Sequence, residues 1–427
     1  MDNSDHGISR SGSDVVFLGE SENRFANYET ITHSIGQISG LIAMTMFSIT
    51  FLLSTRMKII EDYFGGMDKV YKAHGILGAS AMIIILIHPI FLVLKFIPEN
   101  FRQAATYLLP SSNWSVNFGI IALLGMVVLV AITYFMRIKY QKWKFTHEFF
   151  GLVFFFAAIH TITVAQEVAL DEIFQGYDIY AYAVSAIGLI CFTYTLLIRN
   201  RLLNKWVDYK VESVRKVAKE SYEIIMVAQK KAIDYKAGQF IYVRFSNSEL
   251  GKEAHPFSIA SKTNEPKIKI IIKELGDYTQ KIHKLQKGDL AQIDGPYGRF
   301  NWENAKAKKQ VWIAAGIGIT PFLGLAEDIG EERFQDSKID LYQSVKHKED
   351  LISQERLEEI QRKNKNFRFI PWITSEKGRI GIADFYKGNE LEYYLCGPEG
   401  FKSEIREKLI EKGVPKQKIF TEEFEFR

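Results

Sequence analysis

The sequence predicts a multidomain chain: an α-helical transmembrane bundle up to about residue 200, then a soluble module of an antiparallel β-barrel and an α/β domain with a parallel sheet. Three observations carry this. Five apolar runs near 20 residues long all precede residue 200. From about 206, short alternating stretches punctuated by turn residues take over. After about 308 the order becomes strand, glycine-rich turn, helix. The averages over 427 residues, 47% hydrophobic and 24% charged, conceal this division. Only two cysteines, Cys191 and Cys396, exclude a disulfide scaffold, a cysteine-ligated iron–sulfur cluster and a Cys-rich zinc site. A net charge of +4 gives no argument for nucleic acid.

The apolar runs fall near 35–54, 71–97, 115–136, 147–166 and 178–198. Each suffices to cross about 30 Å of hydrocarbon. Arg56, Lys58, Lys69 and Lys72 lie between the first two runs, Arg137, Lys139, Lys142 and Lys144 between the third and fourth, and Arg199, Arg201 and Lys205 after the fifth. These connections are expected on the cytoplasmic side of a cell membrane, which places the soluble module there and the N-terminus outside. Residues 1–30 are polar, without the basic and apolar regions of a signal peptide.

Four of the nine histidines, His74, His88, His147 and His160, sit inside or at the edge of these runs. Ionisable residues at such depth are functional candidates. His74 and His88 are 14 residues apart, about 21 Å of rise and within about 40° of one helix face. His147 and His160 are 13 apart, which an ideal helix would set about 140° off. A π-bulge or a local change of winding, with Gly151 as its candidate place, would bring the second pair into line. The second and fourth helices run the same way, so His74 pairs with His147 and His88 with His160. Two facing imidazoles are what a six-coordinate b-type haem needs, and two such haems would form an electron wire across the bilayer.

In the soluble half, VDYKVESVRKVA, SYEIIMVAQ, AGQFIYVRF, HPFSIAS, KIKIIIKEL and DLAQIDGPYGRF read as strands of a small barrel. AAGIGITPF follows an apolar strand and opens a helix, the context of a phosphate-cradling turn in which Gly316 and Gly318 let the backbone approach a pyrophosphate. YLCGPEGF repeats the arrangement at a later strand end, with Cys396 expected to face the crevice. The divisions expected are 1–30, a polar segment; 31–200, the membrane domain; 206–304, the barrel; and 305–427, the α/β domain.

HPFSIAS (255–261), KELGDYTQKI (273–282), DGPYGRF (294–300), AAGIGITPF (314–322) and YLCGPEGF (394–401), in that order behind a four-histidine membrane domain, resemble the ferric reductase and NADPH oxidase superfamily. The resemblance implies a transmembrane di-haem domain followed by a ferredoxin-reductase-like module of FAD and nucleotide domains. It implies that His255, Pro256, Phe257 and Ser258 line FAD, with Ser258 near the ring that accepts hydride, and that Gly276, Asp277, Tyr278 and Thr279 hold its pyrophosphate. It further implies that Gly316, Gly318, Thr320 and Pro321 bind the pyridine nucleotide and that Cys396, Gly397 and Pro398 line the nicotinamide pocket. An aromatic near the C-terminus covers the flavin in this family; Phe424 and Phe426 are the candidates, Phe426 favoured. Lys346, in a basic run where an NADH enzyme would more often place an acid, and Arg379 favour NADPH over NADH.

The activity implied is an oxidoreductase passing electrons from cytoplasmic NADPH through FAD and two b-type haems to an extracytoplasmic acceptor. Oxygen giving superoxide is the acceptor favoured, for want of a large external domain; a ferric chelate would use the same path. A non-catalytic membrane haem sensor is the alternative of another class. The calcium-binding hands and long insertions of regulated relatives are missing, so no obligate cytosolic activator is expected. The animal oxidases have a sixth membrane helix for which this sequence has no counterpart.

Overall fold

The computed structural model describes residues 25, 27–97, 99–136, 138, 140–169, 177–197, 206–247, 249–251, 253–301, 307–329 and 337–422. The chain forms two compact units, Met1–Met57 with Tyr71–Leu203, and Lys58–Val70 with Asn204–Arg427. The helices before residue 200 are α1 (Tyr28–Ser54), α2 (Lys58–Phe64), α3 (Met67–Leu94), α4 (Phe101–Thr106), α5 (Trp114–Phe135), α6 (Tyr140–Glu148), α7 (Phe150–Ala169) and α8 (Tyr177–Thr193). Five spans are long and apolar enough to cross a bilayer: Tyr28–Ser54, Met67–Leu94, Trp114–Phe135, Lys142–Ala165 and Asp178–Leu197.

The first span begins at Tyr28, earlier than its apolar run, because Asn27 caps it. The Asn27 side chain accepts from the Thr30 amide at 2.9 Å, and the Thr30 hydroxyl accepts from the Asn27 amide at 3.1 Å. The fourth span is broken: α6 ends at Glu148, Phe149 forms a turn, and α7 starts at Phe150. The irregularity expected at Gly151 therefore lies at Phe149. Gly151 has another task, since a Cβ there would fall 2.0 Å from the Phe192 ring, so its bareness lets α7 and α8 approach. Phe154, fully buried, packs edge-on to Phe47 and Phe51 at centroid distances of 5.2 and 5.0 Å, and the Ser48 hydroxyl donates to the Val184 carbonyl at 2.9 Å. These contacts tie α1, α7 and α8 together.

The soluble part of the second unit starts with an antiparallel sheet of β1 (Val207–Ala218), β2 (Ser221–Ala228), β3 (Phe240–Ser246), β4 (His255–Ser258), β5 (Lys267–Lys273) and β6 (Leu290–Tyr297), in the order β4-β3-β6-β1-β2-β5. An antiparallel bridge from Ile259 to Ile270 joins the two edge strands, so the sheet closes into the expected barrel. In β5 the run Lys-Ile-Lys-Ile turns Ile268 and Ile270 into the barrel core and its lysines outward.

A second sheet of β7 (Lys309–Ala315), β8 (Lys338–Val345), β9 (Phe367–Ile373), β10 (Glu392–Cys396) and β11 (Ile419–Thr421) is parallel throughout, in the order β11-β10-β7-β8-β9. Both faces are covered. Val311, Ile313, Tyr393 and Leu395 face one core; Trp312, Ala314, Tyr394 and Cys396 face the other, beneath α9 (Thr320–Asp328) and α10 (Gln354–Lys363). From central β7 the chain passes to β8 and β9 on one side, then crosses to β10 and β11 on the other. A topological switch point therefore lies between the C-terminal ends of β7 and β10.

Phe322 on α9 stacks on Trp312 at 5.4 Å and meets Phe300 edge-on at 5.2 Å, with no exposed surface. Phe322→Ala is expected to destabilise this part of the chain by about 3–5 kcal/mol, read as a lowered denaturation midpoint of detergent-solubilised full-length protein. A change below about 1 kcal/mol would show that this core collapses around the cavity.

Candidate functional site

The four membrane histidines meet as two pairs. His74 on α3 and His147 near the end of α6 have ring centroids 6.1 Å apart; His88 on α3 and His160 on α7 have theirs 6.2 Å apart. A transition metal bound about 2.0 Å from one nitrogen of each ring needs centroids about 6 Å apart. Both gaps fit a six-coordinate haem iron. The break at Phe149 is what turns His147 and His160 towards the same partner helix.

Nδ1 of three rings lies against a main-chain carbonyl: His74 on Thr50 at 3.0 Å, His88 on Gly36 at 2.7 Å and His160 on Ser115 at 2.6 Å. A carbonyl only accepts, so these Nδ1 atoms carry the proton and Nε2 keeps its lone pair for a metal. The His147 Nδ1 is buried without a hydrogen-bond partner among the described residues. Gly36, Thr50 and Ser115 were not legible as functional residues. The signal available was the small-x-x-x-small spacing of Gly36 with Gly40 and of Ser115 with Gly119, which marks close helix approach.

The barrel brings HPFS and GDYT together. His255 stacks on Tyr278 with ring centroids 4.0 Å apart and planes 32° off parallel. Its Nε2 lies 3.1 Å from a Glu253 carboxylate oxygen, and burial holds its imidazole below the usual histidine range. Pro256 and Phe257 are half-buried and Ser258 is buried. The Thr279 hydroxyl accepts from the Leu275 and Gly276 amides, each at 3.0 Å, and Asp277 accepts from the Tyr278 amide at 2.9 Å. No atom stands within 4 Å of a Cβ built on Gly276. Apolar ring faces beside open backbone fit a flat cofactor with a phosphate tail. Phe424 and Phe426 lie outside the described residues.

A cavity of about 540 Å³ opens at the end of the parallel sheet, lined among others by Lys219, Lys273, Gly316, Ser344, Lys346 and Arg379. Gly316 has a φ of +56° and nothing within 4 Å of a built Cβ, so its bare backbone faces open space. Arg379 is held by Glu404 at 2.8 Å, while Lys346 is exposed. Gly318 acts otherwise than expected: a Cβ there would be 2.3 Å from the Cys396 carbonyl oxygen, so this glycine lets the ends of β7 and β10 meet. Thr320 and Pro321 are buried in the first turn of α9, the Thr320 hydroxyl donating to the Ile317 carbonyl at 2.8 Å. Cys396, expected to face the crevice, has no exposed surface, and burial pushes its thiol well above the usual range. Gly397 packs its backbone on Ala315, and Pro398 caps the helix Glu399–Glu411. Lys219, Lys273 and Ser344 went unnoticed in the sequence because only folding brings the barrel edge to this sheet end.

Two buried carboxylates lie against Gly298. Glu61 on α2 accepts from its amide at 2.7 Å, and a Glu422 oxygen would sit 2.8 Å from a Cβ built there. Neither Glu422 carboxylate oxygen has a hydrogen-bond partner among the described residues. Burial raises both groups above the usual carboxylate range; Asp68 and Glu61 add to the effect at Glu422, and the Gly298 amide opposes it at Glu61.

Residues 39–158 match the ferric reductase like transmembrane component, 207–301 an FAD-binding domain and 312–407 an oxidoreductase NAD-binding domain. Dual oxidase 1 of Caenorhabditis elegans is 25% identical over 254 residues, 57% of this chain and 16% of that one. The chain belongs to the ferric reductase and NADPH oxidase superfamily. This member is a membrane oxidoreductase with FAD-binding and nicotinamide-nucleotide-binding modules. Its soluble half is also similar to the phenol hydroxylase P5 protein of Acinetobacter pittii, 30% identical over 212 residues (45% of this chain), and to a flavohemoprotein of Candida norvegensis, 26% identical over 230 (50%). The chain spans 59% and 57% of those two proteins. The crystal structure of flavohemoglobin from Malassezia yamatoensis shares the fold at a TM-score of 0.50 and 19% identity, over 94% of this chain and 98% of that one.

In this superfamily member the raised carboxylates have a consequence for pH. A group whose folded pKa exceeds its unfolded value stabilises the fold at low pH and loses that contribution as pH rises through the folded pKa. Thermal stability is thus expected to fall as pH rises above the ordinary carboxylate range, and less steeply in Glu422→Gln, which keeps the shape but cannot ionise. Equal slopes in melting experiments on the two proteins would mean that Glu422 ionises freely.

Proposed function

We propose that the chain carries electrons from cytoplasmic NADPH through FAD and two b-type haems to oxygen on the far side of a cell membrane, giving superoxide. The matched 6.1 and 6.2 Å gaps between two histidine pairs that share helix α3 are the observation that carries the reading. The divisions 31–200, 206–304 and 305–427 then correspond to the haem, FAD and nucleotide domains. The basic connections after the first, third and fifth apolar runs support a cytoplasmic soluble half and an outer His88–His160 pair.

Each part of the chain has a defined task. His255 and Tyr278 supply a stacked wall for the flavin ring, with Pro256, Phe257 and Ser258 beside them, while Gly276, Asp277 and Thr279 shape the turn beside its phosphates. Gly316 gives its backbone to the nucleotide phosphates, and Gly318 with Cys396, Gly397 and Pro398 closes the end of the crevice. Lys346 and Arg379 hold the 2′-phosphate. Thr320 and Pro321 start the helix whose N-terminus faces that crevice. His74, His88, His147 and His160 present Nε2 to iron. When bound, FAD converts a two-electron hydride into single electrons and haem iron takes them one at a time. If His74 with His147 and His88 with His160 hold the irons, each iron would supply one-electron transfer without an open position for an acceptor to bind the metal.

The ferric-reductase match over 39–158 favours a ferric chelate as the second reading. Purified FAD-loaded protein reduced anaerobically with NADPH, then mixed with aerated buffer or with anaerobic ferric citrate, separates them. Reduced haem bands that reoxidise faster in air support the oxidase; faster loss with ferric citrate supports the reductase. No haem reduction at all would overturn the electron path. Lys346→Ala and Arg379→Ala are each expected to raise the KM for NADPH about tenfold, the equivalent of about 1.4 kcal/mol of lost phosphate contact, with the KM for NADH unchanged. An equal rise for both nucleotides would remove these residues from 2′-phosphate recognition.

A further inference from the structure

The two histidine pairs differ in what supports them. At His88 and His160 the same device occurs twice. Gly36 on α1 and Ser115 on α5 each offer a carbonyl to the ring Nδ1, and the residue one turn later on the same helix, Gly40 or Gly119, lies directly under that ring. A Cβ built on Gly40 would fall 2.6 Å from the His88 Nδ1, and one on Gly119 2.9 Å from the His160 Nδ1. The spacing has a physical cause: side chains on a helix lean towards its N-terminus, so residue i+4 covers the carbonyl of residue i. Only glycine leaves that carbonyl open to a ring from another helix. At the other pair, His74 has one such bond, longer at 3.0 Å, and the buried His147 Nδ1 has no hydrogen-bond partner among the described residues, lying instead between Trp143 and Phe150 at ring distances of 4.9 and 5.0 Å.

We propose that Gly36–Gly40 and Ser115–Gly119 are paired positioning elements that make the His88–His160 site the more strongly reducing of the two, the His74–His147 site being easier to reduce because His147 has no such support among the described residues. The inference rests on the haem reading of both pairs. An Nδ1–H bonded to a carbonyl gives the imidazole more imidazolate character and a more basic Nε2. A more basic ligand stabilises the ferric over the ferrous form, which lowers the potential of the one-electron couple. Two short bonds act at one site and one longer bond at the other.

The test is a spectroscopic redox titration of the full-length holoprotein, preceded by a haem count per chain. Two haems and two resolved transitions are expected. His160→Leu, which removes one ligand of the outer pair, should leave the transition at the higher potential. Gly40→Ala and Gly119→Ala should each shift the lower transition to more positive potential and leave the higher one in place. Trp143→Gln places an amide oxygen one turn before His147 and should shift the higher transition to more negative potential. If His160→Leu retains the lower transition, or if the glycine variants move both transitions equally, the proposal is overturned while the haem reading stands. A count below two haems per chain overturns the pairing and the proposal with it.

Discussion

Three of the four paired membrane histidines hold a ring Nδ1 on a main-chain carbonyl of another helix, and these contacts organise the membrane unit. Helix α3 carries a histidine of each pair, yet neither is oriented by α3 itself. Both rings reach α1, taking the Thr50 carbonyl at 3.0 Å and the Gly36 carbonyl at 2.7 Å. The first span therefore carries none of the four paired histidines but orients the two on α3. Through Ser48 and the Phe47, Phe51 and Phe154 rings, the same span packs on α7 and α8. Histidine orientation and bundle packing are thus one problem solved on opposite faces of α1.

The α/β sheet solves a comparable problem at its switch point. Two strand ends must meet closely enough to form a crevice floor, and each carries glycine where a side chain would collide. Gly318 lies against the Cys396 carbonyl and Gly397 against Ala315. Gly316, two residues before Gly318, faces open space with a left-handed φ of +56°. Within one short motif, then, one glycine serves packing and another leaves its backbone open to the crevice. Cys396 is held in the hydrophobic core by this meeting of strands, so its contribution to the crevice is its backbone.

The carboxylates Glu61 and Glu422 are buried around one backbone position, and burial holds both above the usual carboxylate range. Among the described residues no group of three or more histidine, cysteine or acidic side chains could hold a metal ion. Buried carboxylates gathered near one backbone amide, with Lys402 as the nearby cation, are stable when most of them remain neutral. Gly298 is the meeting point, and its lack of a side chain is what lets Glu422 approach.

Much of this architecture is determined by the sequence alone, since hydrophobic run length and strand alternation are local properties. The five spans, the six barrel strands, β7 to β10 and the histidine spacings on α3 follow from them, and so does the family through its ordered motifs. Tertiary structure decided what depends on a partner elsewhere in the chain. The 13-residue spacing of His147 and His160 demanded a break in this helix, but its place at Phe149 rather than Gly151 was decided by tertiary packing, since Gly151 is taken up by the close approach of Phe192. The carbonyls of Gly36, Thr50 and Ser115 carry no residue identity, so their use as ring acceptors could not be read from letters. Burial of Cys396, and the arrival of Lys219 and Lys273 at the sheet-end cavity, depend on how barrel and sheet edges meet. Local periodicity names the elements, whereas close contact between distant backbones decides which of their atoms function.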